Sequence, residues 1–237
     1  MDRGLCAVAE STPIASPLPE PERDLALSQY WTPPALAKRM VDMLGLPRGS
    51  SVLEPAAGCG RLVEPLLAAG LKVVACELDR RWAKVLRDRW PDIGITRCDY
   101  PARKFPPFDL HYDGAVLNPP YEHGLDGRFL ARALEDADVV VALCRVQILF
   151  GTQRYASIWE PHGYRLDRVA FLPRRPSFGG GSPRHDFCVL RFRSHDDAAD
   201  DFCQRGDAGD TGIVKPAPGV VQDHRPQSGP RSDSGGI

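Results

Sequence analysis

The run Ala115-Val116-Leu117-Asn118-Pro119-Pro120-Tyr121 carries a strand-like apolar stretch into a stiff polar corner. Two consecutive prolines remove two backbone donors and fix two φ angles, so the strand cannot pass through them. The corner holds an amide side chain, a carbonyl that cannot drift and an aromatic ring. That set suits a planar exocyclic amino group, a poor nucleophile because its lone pair is delocalised into the adjoining ring. Two acceptors on its two N–H bonds, the Asn118 side-chain oxygen and the Pro119 carbonyl, favour a pyramidal nitrogen with a localised lone pair. Pro120 keeps both in fixed relation before a substrate arrives, and Tyr121 offers a face on which an extruded base can stack. The plainer alternative is an Asn-Pro turn that ends a strand with Tyr121 packed nearby.

Other strand ends carry matching chemistry. The stretch LEPAAGCGRL, residues 53–62, joins a short strand to a helix through Gly58 and Gly60, which permit a tight turn and close backbone approach. It lacks the third glycine of a dinucleotide fingerprint, and Glu54 stands where a pyrophosphate would meet a carboxylate. An acidic residue there suits an ammonium or sulfonium ligand. Glu77 ends the next strand at the spacing from Gly58 where a carboxylate meets ribose hydroxyls, whereas Asp79 reads better as a helix cap. Asp99, after the third strand, can accept from an adenine amino group or simply cap its loop. No Ser-His, Cys-His or metal-binding constellation accompanies them, and a methyl group on sulfonium needs none.

The elements that must position these residues alternate regularly. PPALAKRMVDML (33–44) places Leu36, Met40, Met43 and Leu44 on one helical face behind two prolines. Strands are expected at 51–54, 72–77, 93–97, 113–118, 138–144, 166–172 and 187–192, with helices near 61–69, 79–89 and 126–136. The last two strands lack an intervening helix and read as an antiparallel pair. The pattern implies a parallel sheet covered on both faces with one reversed strand, a fold that binds ligands beyond its strand C-termini.

Composition sets the limits. The 237 residues carry a net charge of −1, with no overall excess of positive charge, although 25 of 30 basic residues are Arg. The seven cysteines are scattered without a CxxC pair, which argues against a disulfide framework and against zinc. No apolar run is long enough for a bilayer and no secretory signal is visible, so a cytoplasmic location is expected. Residues 1–27 and 196–237 are expected to be disordered tails around a domain at 28–195.

With these residues in view, the sequence resembles the S-adenosylmethionine-dependent amino-methyltransferases and, within them, the DNA adenine-N6 methyltransferases. LEPAAGCG resembles their cofactor loop, ACELD their ribose-binding strand end and NPPY their catalytic motif. YWTPPALAKRMV (30–41) is similar to the helix that closes over the cofactor's methionine end. RRPSF (174–178) is similar to phage and plasmid-borne members. The resemblance implies an α/β, Rossmann-like class I methyltransferase with helices on both faces of a seven-stranded sheet, order 3-2-1-4-5-7-6, strand 7 antiparallel. It implies S-adenosyl-L-methionine held by Glu54, Gly58 and Gly60 at the amino acid end, Glu77 at the ribose and Asp99 at the adenine. Tyr30, Thr32, Pro33, Pro55, Ala56, Leu78, Tyr100 and Asn118 complete the cofactor contacts. Asn118, Pro119, Pro120 and Tyr121 hold the target.

In one respect the chain departs from that family: only a short segment separates the last two strands, where sequence-specific members carry a sizeable recognition region. Residues 160–193 hold seven Arg against three acidic residues. Arg174, Arg175, Phe178 and Arg184 are candidate nucleic-acid contacts, unless the segment is a solvated edge hairpin. Little or short sequence specificity, or a partner protein that supplies it, is expected. Competing readings are methylation of purines in ribosomal RNA or of a protein glutamine, and a catalytically silent DNA-binding subunit.

Overall fold

Apolar runs separated by glycine and proline turns pair into one seven-stranded sheet in the order β3-β2-β1-β4-β5-β7-β6. The computed structural model describes residues 30–102, 111–159, 164–178 and 185–194. The strands are β1 (Ser51–Glu54), β2 (Lys72–Glu77), β3 (Gly94–Arg97), β4 (Tyr112–Leu117), β5 (Ala137–Arg145), β6 (Tyr164–Phe171) and β7 (Phe187–Ser194). The first five run parallel, and β7 is antiparallel to both β5 and β6. This is the class I methyltransferase topology that the resemblance implied.

Side chains alternate between the faces of a strand, and here each face has its own core. Val52, Val116, Val139, Val141 and Leu143 point to one side, with α1 (Pro34–Leu44) and α2 (Val63–Ala68). Leu53, Ala115, Leu117, Val140 and Ala142 point to the other, beneath α4 (Leu125–Asp136). Helix α1 starts at paired prolines, buries Leu36, Ala37, Met40, Val41 and Leu44, and stops at Gly45 in the left-handed region. In α3 (Arg80–Arg89) the Asp79 carboxylate caps the start by accepting from the Arg81 N–H at 2.8 Å.

Two features were not expected from the sequence. Residues Val146–Trp159 form a chain of short helical turns, too brief and irregular to leave a hydrophobic period. In β6 the pairing slips between Leu166 and Arg168, so Asp167 is an extra residue in the ladder. Its carboxylate accepts from buried Arg191 at 2.7–3.1 Å, and Arg193 approaches within 3.1 Å without hydrogen-bond alignment. Arg191 also donates to the Met43 carbonyl, tying β7 to α1. The expected tails, 1–27 and 196–237, lie outside the described residues. Among those residues, no helix is long and apolar enough to cross a membrane.

Candidate active site

The C-terminal ends of β1, β2 and β4 open into one cleft of about 470 Å³. Glu54, the last residue of β1, has no exposed surface. Its Oε1 accepts from the Ala56 N–H at 3.2 Å, while Oε2 has no partner in the protein. Burial pushes this carboxyl up to about 8; the Ala56 N–H opposes the shift and the nearby Glu77 charge adds to it. Glu77, closing β2, is fixed differently. Gly58, 19 residues earlier, donates its N–H to Oε2 at 2.6 Å, and Asp79 donates to Oε1 at 2.7 Å. Burial raises the Glu77 pKa against these two donors. Each oxygen keeps a lone pair for a ligand hydroxyl.

Gly58 has φ +51°, and a Cβ there would lie 2.7 Å from Cζ3 of Trp31. The missing side chain lets the segment Tyr30–Thr32 lie across the mouth of the cleft as a strap. Trp31 packs edge-on against Trp82 at 5.2 Å, and its Nε1 is buried without a partner. At the far end, half-exposed Leu78 lines the cleft with Leu125, Phe129 and the exposed Asp99. Flat apolar walls with one acceptor suit a purine.

The Asn-Pro-Pro-Tyr corner meets this cleft through Asn118 and Pro120. The Asn118 amide donates to the Tyr30 carbonyl at 2.8 Å and to Thr32 Oγ1 at 2.9 Å. Its Oδ1 accepts from the Tyr121 hydroxyl, which is also 3.2 Å from the Leu143 carbonyl. Arg145, ending β5, donates to the Tyr121 carbonyl at 2.6 Å and pairs with the buried Asp126 carboxylate at 2.9 Å. The corner is therefore held from the strap, the strand and α4.

Several sequence-predicted residues land elsewhere. Tyr121 is 4% exposed, with Tyr30 at 5.6 Å and Phe187 at 5.1 Å, so it offers no open stacking face while the strap is in place. Pro119 is buried at the turn. Gly60 faces away from the cleft, because a Cβ there would lie 2.3 Å from Trp90; its glycine serves helix packing. Pro33 starts α1 and accepts from the Ala37 N–H at 2.9 Å, outside the cleft lining. Tyr100 does line the cleft, but its hydroxyl donates to Asp136 at 2.7 Å inside the core.

Phe178 is 2% exposed and packs on Tyr30 and Phe187, so it is a core residue and not a surface contact. Arg174 and Arg175 are exposed beside a second groove, where Arg175 donates to Asp186 at 2.8 Å. Arg184 lies outside the described residues. Sequence reasoning passed over Trp31, Arg61 and Arg145. Arg145 follows the apolar run of β5, so the strand-end rule would have found it there too.

No protein-family model matches the chain. Over 103 residues, 42% of the chain, it is 31% identical to the ribosomal RNA small subunit methyltransferase A of Thermotoga petrophila. Over 116 residues, 48% of the chain, it is 39% identical to the protein of that name from Synechococcus. The chain spans only 38% and 35% of the length of these curated relatives. A Pyrococcus horikoshii protein assigned as an RNA methyltransferase superposes with TM-score 0.60 at 23% identity, covering 73% of this chain and 91% of that one. A Vibrio vulnificus protein assigned as the modification subunit of a type I restriction enzyme gives 0.58 at 18% identity, over 70% and 44%.

The fold is that of the class I S-adenosylmethionine-dependent methyltransferases. S-adenosylmethionine is the cofactor of that fold, and the residues present fit it: an orphaned buried carboxylate oxygen for an ammonium, a fixed carboxylate for a diol and an apolar slot for a purine.

Proposed function

We propose that the chain transfers a methyl group from S-adenosylmethionine to the exocyclic N6 amino group of adenine in DNA. The observation that carries this reading is the Asn118 amide, held at both ends where the corner meets a carboxylate-lined cleft. When bound, the cofactor supplies a methyl group already activated by its sulfonium. The chain's task is to place the nucleophile. A carbonyl oxygen has two lone pairs; the Tyr121 hydroxyl uses one on Asn118 Oδ1 and leaves the other for a substrate N–H. In this reading the second acceptor is the backbone carbonyl of Pro119, whose ring is buried at the turn. Tyr121 thus positions Asn118 as well as the base, and a base reaches its ring only after Tyr30 swings aside. The proton leaves the nitrogen after transfer, so no group of special basicity is required.

A second reading, methylation of a purine in ribosomal RNA, is favoured by the two curated relatives named as ribosomal RNA small subunit methyltransferases. Incubation with methyl-labelled cofactor and plasmid DNA, ribosomal subunits or release factors separates these substrates. Label in DNA N6-methyladenine supports the first reading, and label in ribosomal RNA alone supports the second. Asn118→Ala is expected to lower kcat by about 10²–10³-fold while calorimetry still detects cofactor binding. Transfer at the unsubstituted rate would remove Asn118 from the mechanism.

A further inference from the structure

The turn that follows the Asn-Pro-Pro-Tyr corner has an uncommon backbone. Within Glu122–Gly124, His123 has φ +53°, and among the described residues it alone combines a Cβ with positive φ. Left-handed backbone is disfavoured for a residue with a side chain, whereas Gly124, at φ +72°, adopts it freely. No contact inside the fold accounts for an imidazole there. The residue is exposed, and among the described residues its ring has no hydrogen-bond or ion-pair partner. It does line the cleft, with Asn118, Pro120 and Glu122.

The chain on either side of His123 is fixed. Arg145 donates to the Tyr121 carbonyl at 2.6 Å and to the Asp126 carboxylate at 2.9 Å, so one guanidinium brackets the turn. Backbone strain persists where its surroundings hold it, and such residues gather at binding sites. An adenine whose amino group lies at Asn118 and Pro119 brings ring N1 next to that group. Extrusion from a duplex takes from N1 the donor of its pairing partner, so the site supplies another or leaves an acceptor unsatisfied. Other donors around the corner are already engaged. The Asn118 amide is spent on the Tyr30 carbonyl and Thr32, the Tyr30 hydroxyl on Glu122 at 2.9 Å, and the Tyr121 hydroxyl on Asn118. An imidazole carries an N–H whether neutral or charged.

We infer that His123 reads the target base, its ring N–H donating to N1 of the extruded adenine while Asn118 and Pro119 hold the N6 amino group. The inference rests on the adenine reading above and adds the residue that recognises the ring. An amino group alone does not identify a base, since adenine, cytosine and guanine all carry one. On the pairing edge adenine sets an acceptor beside it, whereas guanine sets an N–H there. A donor at His123 therefore accepts the first and opposes the second.

The test measures kcat/KM of the full chain on a short duplex copied from plasmid DNA that takes the methyl label. The methylated position holds adenine, 1-deazaadenine, which replaces N1 by C–H and keeps the amino group, or 7-deazaadenine. His123→Gly suits the backbone of the turn and removes the donor, so its denaturant midpoint should not fall. It is expected to lower kcat/KM on adenine and on 7-deazaadenine by about three- to tenfold, the worth of one neutral hydrogen bond, and to leave 1-deazaadenine unchanged. His123→Asn, which tolerates the left-handed region and keeps a shorter N–H donor, should retain part of the difference. Equal loss on adenine and 1-deazaadenine, or no loss on adenine, overturns the inference; so does a loss that disappears with 7-deazaadenine instead. Absence of transfer to DNA adenine by the unsubstituted protein sinks the substrate reading itself, a separate result.

Discussion

A carboxylate with no exposed surface and one oxygen without a partner is poorly stabilised as an anion, and Glu54 is in that position. Its carboxyl titrates at about 8 in the fold, against an ordinary value of 4.5. Below the lower value the group is protonated in folded and unfolded chains alike. As pH rises towards 8 the unfolded chain releases its proton first, so the ligand-free fold loses stability across that window, by up to about 5 kcal/mol. An ammonium placed at Oε2 reverses the preference, so cofactor binding expels the proton. Cofactor affinity is therefore expected to rise up to about tenfold per pH unit between pH 6 and 8 and to level off above. Titrations in buffers of different ionisation enthalpy would register close to one proton released near pH 7. Glu54→Gln should flatten the profile; a flat profile in the unsubstituted protein contradicts the argument. The residue type and strand-end position of Glu54 were legible in the sequence. Its missing partner was not, since burial of each oxygen is set by Ala56 and the neighbouring strands.

At the scale of elements, the Asn-Pro-Pro-Tyr corner depends on an ion pair between two of them. Asp126 sits in the first turn of α4 with its side chain 8% exposed, and Arg145 ends β5 with its side chain 22% exposed. Removing one partner strands the other charge, a loss of about 3 kcal/mol in so enclosed a place. Asp126→Asn and Arg145→Met are each expected to lower the denaturant midpoint accordingly. The double change Asp126→Leu with Arg145→Met should recover most of the stability, since no charge is then left alone. Transfer should stay depressed in the double variant, because the Tyr121 carbonyl has lost its donor. Recovery of both would show that the pair serves only the fold. The seven strands and four main helices could be read ahead because apolar runs and 3.6-residue periods survive in the sequence. The turns at 146–159 and the Asp167 bulge could not, because each depends on what a neighbouring strand offers.

For the molecule as a whole, the arginine count exaggerates the surface available to a polyanion. Seven arginines between residues 160 and 193 look like a phosphate-binding stretch. In the fold, Arg191 and Arg193 share the Asp167 carboxylate and Arg175 pairs with Asp186. Arg174 is exposed at the second groove, and among the described residues no carboxylate pairs with it. Pairing of this kind is tertiary: β7 brings Arg191 to Asp167 across 24 residues, a contact no local pattern announces. A chain with a net charge of −1 that commits Arg175, Arg191 and Arg193 to carboxylates should neutralise few phosphates. Each neutralised phosphate contributes about −0.9 to the slope of log affinity against log salt on duplex DNA. Binding of a short adenine-containing duplex is therefore expected to show a slope of about −2, measured by fluorescence anisotropy across a salt series. Arg174→Ala should make it shallower by about one unit, and affinity should change little when the bases flanking the adenine are exchanged. A slope of about −6 or steeper would mean that a larger basic surface meets the nucleic acid, and the expectation of a partner protein supplying specificity would then lose its motive.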